Sequence, residues 1–565
     1  LRRSAAKIGF PVTVKPAKKT KGRAITCAVK NEKDLSPALD QVRNFTSRAW
    51  VEQHIEGKTY RLLVANNKFL GILAESNQNI CSDVNNDIVH PSVIEQAIAV
   101  YRMIDVGMMV ATCVTEDISK PLEVVGGAFV DLDVAPELDA FPGLDPELLH
   151  VAAGEFVEWV FPAGVDSRIP LIAVTGTNGK TTTSRIIQGI LCSAGYSPGL
   201  ACSDGIYIKD QQMLEAGDLS GINGHLHLLG HREIDCAVLE TARGGVAKWG
   251  FGFDHCDIGV CLNVVEDHLM DSGIDTLEQM ATLKRSIMER ATTEIVLNAD
   301  DEMSRQMPPF NQGQRISMTS TELSHDELKS SYPDCNCFAV LEEQDDRSYA
   351  VIYDQYIRIP VIAIDDIPAA YAGRARYNVS NILHACVACY LFGVAPSTIQ
   401  SGLSSFQMNF ESTPGRLNIF EGHPFKFILD YAHNPDGISK FCEFIAQIEV
   451  PGRRFVAFSA SGYNDRQAIR GNAISLAGQF DYYFCFNFLG NIEKKFQHVP
   501  GVLKQALLDC GVPADKVQIN ETAMDALEEI LKVAGEGDLV VFLSGRRGRD
   551  QIWKRITGNG KTKNT

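Results

Sequence analysis

The sequence predicts an α/β fold in three successive regions, and three observations carry that expectation. Strand-then-helix alternation runs from about residue 166 to 412, which argues for a parallel sheet with crossover helices. The alternation resumes from about residue 413, with strands at Lys426–Asp430, Arg454–Phe458 and Asp538–Leu543. Residues 1 to about 165 have a different, β-rich texture, with Phe10–Pro16, Trp50–Ile55 and Tyr60–Ala65 as strands. The expected regions are therefore 1–165, 166–412 and 413–565, joined through Phe161-Pro-Ala-Gly164 and Glu411-Ser-Thr-Pro-Gly-Arg416. A length of 565 residues suits such a division.

Within the last region, Asn434 caps a helix whose first turn takes Pro435. Ile438, Phe441, Phe444, Ile445 and Ile448 form its apolar stripe. The polar stretch from Asn311 to Asp346 reads as loops and weak strands.

Composition excludes several classes of protein. Apolar residues make up 45% and charged residues 22%, the balance of an ordinary globular chain. The 53 basic and 70 acidic residues give a net charge of −17, which repels phosphate backbones, so no nucleic acid partner is expected. That balance serves solubility and is compatible with a substrate carrying cationic groups. No apolar run approaches the ~18 residues that span a bilayer, so no membrane is expected. The fifteen cysteines are scattered without paired spacing and argue for reduced thiols in the cytoplasm. Leu1 to Phe10 has no sustained apolar core, so no secretory signal is expected; the opening Leu-Arg-Arg without Met implies residues before it.

The strongest chemical signal is Ile169-Pro-Leu-Ile-Ala-Val-Thr-Gly-Thr-Asn-Gly-Lys-Thr-Thr-Thr183. An apolar strand runs into a glycine turn, and a helix starts at Thr181 or Thr182 with Ile186, Ile187, Ile190 and Leu191 on its buried face. Successive backbone N–H groups and a helix N-terminus form an anion cradle. Lys180 can reach β- and γ-phosphates, and the Thr181 hydroxyl can ligate Mg²⁺. The longer motif would need glycine where Val174 stands; the form present is Gly176-x-x-Gly179-Lys180-Thr181. The pattern implies a nucleoside triphosphate.

Two further strand ends point to the same edge. Asp235–Leu239 ends in Glu240-Thr-Ala-Arg-Gly-Gly245, and a carboxylate at the C-terminal end of a parallel strand is a good Mg²⁺ ligand. Asp257–Asn263 runs into Glu266-Asp267-His268, an acidic–histidine set that can hold a metal or orient a nucleophile. His225, His227 and His231 have metal-like spacing without an evident carboxylate partner, and read as a solvated helix end. Arg546-Arg-Gly-Arg549 is an anion patch whose occupant (polymer carboxylates, a phosphate or water) the sequence leaves open.

Gly176-Thr-Asn-Gly-Lys-Thr181, Leu239-Glu-Thr-Ala-Arg-Gly-Gly245, Asn263 to His268, Asn298-Ala-Asp-Asp301 and Asp430-Tyr-Ala-His-Asn-Pro435 together resemble the Mur ligase superfamily over about 400 residues. The Glu-Thr-Ala-Arg-Gly-Gly form, Ser203-Asp-Gly-Ile-Tyr207 and Asp267-His268-Leu269 are most similar to its cyanophycin synthetase branch. Pro11–Pro16, Val51-Glu-Gln-His-Ile-Glu-Gly57 and Arg61 resemble pieces of the ATP-grasp domain that precedes the Mur-like part in that branch. Here the lid segment reads Ala17-Lys-Lys-Thr-Lys21 with a single Gly22, the stretch between Arg61 and Gly126 is short, and the closing metal motif is Asp131-Leu132-Asp133. The first region is therefore expected to be a truncated α+β ATP-grasp-like scaffold. A P-loop Mur-ligase central domain and a Rossmann-like C-terminal domain would follow it.

The resemblance implies an ATP-dependent ligase that joins a carboxylate to an amine through an acyl phosphate. With one ATP site of the usual two, it implies the type that polymerises β-Asp-Arg dipeptides into cyanophycin, as a homodimer or larger homo-oligomer. The alternatives are a synthetase using free Asp and Arg, a ligase of the murein or folate type, and an inactive nucleotide-binding scaffold. The expected ATP-binding set is Gly176, Thr177, Asn178, Gly179, Lys180, Thr181 and Thr182, with Thr181, Glu240 and His268 on Mg²⁺. Lys180, Glu240, His268 and Lys284 are the expected catalytic residues. Lys284 matches a lysine that is often carbamylated in the family and then ligates a second Mg²⁺; a helix-surface lysine is the plainer reading. Asn381 matches a position near adenine, although it and Asn378 could equally cap a helix. Arg416 matches a residue that reaches phosphate after closure, and Asp430 one that accepts from ribose hydroxyls. Asp465-Arg466 is either a substrate contact or a salt-bridged turn.

Overall fold

A computed structural model describes residues 2–17, 24–75, 81–84, 86–104, 106–136, 146–165, 167–209, 211–212, 217–267, 273–308, 314–461, 466–487 and 498–558. The chain forms two compact units, Leu1–Arg168 and Ile169–Thr565.

In the first unit, β1 (Val12–Pro16) lies between β2 (Thr26–Val29) and β3 (Ala49–Gln53) in an antiparallel sheet. The helix Glu32–Arg43, capped by the Asn31 side chain, packs Leu35, Leu39 and Val42 against Val12 and Val14. A second antiparallel sheet comprises β4 (Lys58–Ala65), β5 (Lys68–Glu75), β6 (Cys81–Val84), β7 (Met108–Thr115) and β8 (Ala128–Asp133), in the order β6-β5-β4-β7-β8. Asp131 on β8 is exposed; Asp133 accepts the Ala135 amide at 3.2 Å. Residues 18–22 of the expected lid segment lie outside the described residues.

The second unit is built on two sheets. The larger contains β9 (Leu171–Thr175), β10 (Pro198–Cys202), β11 (Gly205–Ile208), β12 (Gln211–Gln212), β13 (Cys236–Glu240), β14 (Cys256–Cys261), β15 (Ala291–Asn298), β16 (Arg315–Thr319), β17 (Cys337–Gln344), β18 (Arg347–Asp354) and β19 (Ile357–Ala363). Their order is β12-β11-β10-β13-β9-β14-β15-β16-β17-β18-β19. The run from β10 to β17 is parallel, as expected, but both flanks are antiparallel hairpins. The stretch 311–346 is thus more ordered than its polarity suggests. Its described part holds β16, β17 and a helix His325–Ser331 with a Ser324/Glu327 capping box, and it buries Met318, Leu328 and Phe338. β16 and the helix contribute only two and one apolar side chains, too few to show a period, and β17 buries only its first half, Cys337–Val340.

Side-chain alternation makes β9 serve two cores. Ile172 and Val174 pack with Ile186, Ile190 and Leu383 on one face, and Leu171 and Ala173 with Leu239, Met280 and Met288 on the other. A strand buried on both faces reads as a continuous apolar run, which is what Leu171–Val174 is.

The smaller sheet contains β20 (Asn418–Phe420), β21 (Lys426–Asp430), β22 (Arg454–Phe458), β23 (Tyr482–Phe486), β24 (Val517–Asn520) and β25 (Leu539–Leu543), in the order β20-β21-β25-β22-β23-β24. All neighbours are parallel except β20 and β21. The helix Pro435–Ala446 begins where the sequence places it, with Asn434 Oδ1 accepting the Gly437 amide at 2.8 Å. Its stripe Ile438, Phe441, Phe444 and Ile445 is buried, while Ile448 is half-buried. Phe441 is fully enclosed between this helix and β21–β22, so Phe441→Ala should cost about 3–5 kcal/mol. A lowered urea midpoint for the variant checks this.

Candidate active site

Strand order brings the three predicted strand ends together. β9 lies between β13 and β14, with Val174 opposite Glu240 and Thr175 opposite Cys261. The chain leaves β9 toward β10 on one side, while β14 lies on the other. That is the switch point at which open parallel sheets form a crevice. The turn Gly176–Gly179 crosses this crevice, and the helix Lys180–Ser193 rises from it, one residue earlier than expected. Gly179 has φ +88°, and a Cβ there would run into Asn381 Oδ1; Gly176 has φ +153°, and its Cβ would lie 2.9 Å from Leu262 Cβ. Only glycine meets both demands.

The turn is held by its neighbours. Asn263 Oδ1 accepts the amides of Thr177 and Asn178 at 3.0 and 2.9 Å, and its Nδ2 donates to Asn178 O at 3.1 Å. Lys180 Nζ donates to Gly176 O at 3.0 Å and Thr177 O at 2.9 Å. The lysine therefore rests on its own loop, where an anionic ligand would compete for it. The Thr177 hydroxyl is tied to the Val265 backbone, so it is a brace. The Asn178 side chain bonds reciprocally with Asn434 (3.1 and 2.9 Å) and donates to Asp436 at 3.0 Å. The Asn178 amide thus bonds Asn263, and its side chain joins the loop to the C-terminal region. Thr182 is buried beside the loop.

Glu240 stands 2% exposed at the end of β13. Its Oε2 accepts from the Thr181 hydroxyl and the Ser203 amide, both at 3.0 Å, and the Thr181 and Ser203 hydroxyls are 3.1 Å apart. Burial pushes its pKa above the usual carboxylate value, against the pull of Lys180, the Ser203 amide and Arg416. Thr181, Ser203 and Glu240 form an all-oxygen donor set, which suits Mg²⁺, an ion that keeps several waters. Among the described residues, no group of three His, Cys, Asp or Glu is placed to hold a metal. His268 lies outside the described residues. Asp267 is 3.5 Å from His433 Nε2, which brings that motif to the same cavity.

Lys284 is also here and is not a helix-surface lysine. It lies 2% exposed on the helix Leu277–Met288, lining the cavity with Lys180 and Glu240. Burial, reinforced by the Lys180 charge, lowers its pKa to about 7.

The C-terminal region closes the cavity, whose volume is about 900 Å³. Arg416 lies over the Tyr431 ring, 4.6 Å from its centroid, and donates to Thr181 Oγ1 at 3.3 Å, so it already reaches the phosphate loop. Asp430 lines the cavity, where Oδ2 accepts the Leu417 amide and Oδ1 the Ala432 amide, both at 2.7 Å. Its carboxylate thus fixes the backbone beside Arg416. Asn381 caps no helix; it sits inside Arg376–Leu391, bonded to Asn378 at 3.4 Å, while Asn378 donates to Ala369 O at 3.1 Å.

One further reading is corrected. His225 is buried, not solvated, and its Nε2 is 3.0 Å from the Glu240 carbonyl oxygen, beneath the strand end it supports. In the helix Arg546–Thr557, Arg549 is 4% exposed; it pairs with Asp204 and donates to Pro414 O at 3.0 Å, and Arg546 donates to Ser203 O at 3.0 Å. Both arginines thus bond protein oxygens, Arg549 from a buried position and Arg546 from a half-buried one. The sequence offered no sign of the Asn178–Asn434 or Arg549–Asp204 pairings, whose members are 256 and 345 residues apart. Asp465 lies outside the described residues, and Arg466 opens a helix ending at Leu476.

A parallel-sheet unit with this phosphate loop and a second sheet closing over it is the fold of a ligase family. The Mur ligase middle domain matches residues 174–389, and the Mur ligase glutamate ligase domain matches 415–546. Together they take in more than half of the chain, which belongs to the Mur ligase superfamily. Its curated relatives include proteins named cyanophycin synthetase: the one from Synechocystis is 30% identical over 529 residues, covering 80% of this chain and 60% of the relative. The chain spans about 55–60% of the length of the curated cyanophycin synthetases it matches. Two solved structures share the fold at a TM-score of 0.50. MurF from Acinetobacter baumannii is 17% identical, covering 72% of this chain and 80% of that one. A bifunctional folylpolyglutamate synthase/dihydrofolate synthase with Mn, AMPPNP and L-glutamate bound is 16% identical, covering 69% and 89%. No helix among the described residues is long and apolar enough to cross a membrane.

The buried Lys284 has a stability consequence. Its folded pKa lies near 7 and an unfolded lysine titrates near 10.4, so between these values the unfolded chain binds the extra proton. The cost of burying the charge is fully present below about pH 7 and fades as pH rises toward 10. In CO₂-free buffer the wild-type urea midpoint should rise from pH 7 to 9.5 relative to Lys284→Met. Parallel profiles would contradict the burial.

Proposed function

We propose that this chain is an ATP-dependent amide ligase that polymerises β-aspartyl-arginine dipeptides into cyanophycin, releasing ADP and phosphate. The observation that carries the reading is the meeting of Lys180, Thr181, Glu240 and Lys284 in one cavity closed by Arg416. The related cyanophycin synthetases supply the substrate class, and the related structure with AMPPNP and Mn bound supports ATP with a divalent cation. The proposed setting is a cytoplasmic homodimer or larger assembly, with the dipeptide, the polymer, ATP and Mg²⁺ as its partners.

The chemistry has two displacements. The chain-end carboxylate oxygen attacks the γ-phosphorus of ATP, forming an acyl phosphate as the bond to ADP breaks. The dipeptide amine then attacks the acyl carbon, loses a proton and expels phosphate. Catalysis of this kind is positioning and charge stabilisation. Lys180, released from the Gly176 and Thr177 carbonyls, would hold the β- and γ-phosphates, and Arg416 is near enough to share that charge. A divalent cation supplies neutralisation of the triphosphate, and Thr181 and Glu240, with His268, would hold it. Asn381 packs on Gly179, where it would border the nucleotide.

The departures at Ala17–Lys21 and Asp131–Asp133 support a first region that serves as a scaffold, hence the dipeptide as substrate. Phosphate release from purified chain tests this, with Mg-ATP, a short polymer primer, and either β-Asp-Arg or free Asp plus Arg. Turnover is expected with the dipeptide alone, reduced at least about a hundredfold in Lys180→Ala. Turnover with the free amino acids would overturn the dipeptide reading, and silence with both would overturn the ligase reading.

Lys284 has a second role in this proposal. An amine with a pKa near 7 is a nucleophile for CO₂, and carbamylation would turn a buried cation beside Lys180 into an anion suited to a second Mg²⁺. Lys284→Ala should lose activity that a short-chain carboxylic acid partly restores. Wild-type rates in that variant would contradict the role.

A further inference from the structure

Among the described residues lining the cavity, Trp249 alone is a large apolar side chain that stands mostly exposed, at 73%. It ends the helix Arg243–Trp249, which begins three residues after Glu240. Seven helical residues span roughly 10 Å, the reach of about three extended residues. Trp249 therefore stands at a distance from the Glu240 end, matched to a later unit of a bound polymer.

The wall around it is built close. A Cβ on Gly245 would lie 3.0 Å from Gly221 Cα, so the helix presses against the loop 218–221. That loop brings Asp218 to the same cavity, its Oδ1 accepting the Ser220 amide at 3.2 Å and the Ser220 hydroxyl at 2.6 Å. An exposed indole face in a cavity that also holds a carboxylate suits a cation, and a planar guanidinium best of all, because it can stack as well as attract.

We propose that Trp249 is a stacking platform for an arginine guanidinium of the bound polymer, by which the site distinguishes an arginine-bearing chain from a neutral one. This rests on the ligase reading above. Two synthetic primers test it, one of β-Asp-Arg units and one of β-Asp-citrulline units, in which a neutral urea replaces the guanidinium.

The wild-type enzyme should show a KM about fivefold lower for the arginine primer. Trp249→Ala should erase that preference and Trp249→Phe keep part of it, with the KM for ATP unchanged in both. An undiminished preference in Trp249→Ala would overturn the assignment, and so would an equal loss for both primers or a raised KM for ATP. Absence of turnover with either primer in the wild-type enzyme would instead overturn the ligase reading.

Discussion

The arrangement depends on one buried carboxylate. Glu240 is taken out of water at the end of β13, and that is tolerable because the Ser203 amide and the Thr181 hydroxyl bond it and Lys180 faces it. Parallel pairing of β13 with β9 sets Glu240 opposite Val174, two residues before the glycine turn. Strand register thus fixes the distance between carboxylate and phosphate loop before any side chain chooses a rotamer. His225 carries the constraint one layer deeper by meeting the Glu240 backbone carbonyl.

A second set of polar contacts joins the C-terminal region to this centre. Arg416 reaches Thr181, Asn178 is locked to Asn434 and Asp436, and Arg549 is buried against Asp204. Removing one member of such a buried pair strands the other charge, so the pairing specifies the closed geometry as much as it stabilises it. Asp430 acts through the backbone: by taking the Leu417 and Ala432 amides it fixes where Arg416 leaves the chain. Lys180 rests on loop carbonyl oxygens and Arg416 on the Thr181 hydroxyl of the following helix, and an anionic triphosphate would offer each a stronger partner.

Much of the site was legible because its signals are local. The turn from Gly176 to Gly179 needs positive φ, and the helix after it needs an apolar face, so a short sequence window suffices. The helix Pro435–Ala446 announced its cap, its first-turn proline and its stripe in the same way. The stretch 314–346 was harder to read because β16 and its helix are short and β17 turns polar over its second half, all of them taking their burial from β15, β18 and the sheet around them. His225 escaped because its partner is a backbone carbonyl, which leaves no mark in sequence spacing.

The two runs of parallel strands, the glycine turn and the place of Glu240 at a strand end can be read from local sequence, since each follows from side-chain period, glycine conformation or chain direction within about a dozen residues. Only the tertiary structure decided which charges meet. It buried Lys284 beside Lys180, paired Asn178 with Asn434 and Arg549 with Asp204, and set the Leu417 and Ala432 amides on the Asp430 carboxylate. The physical reason is that desolvation and pairing depend on what the rest of the chain brings within a few ångströms, and those partners lie up to hundreds of residues away.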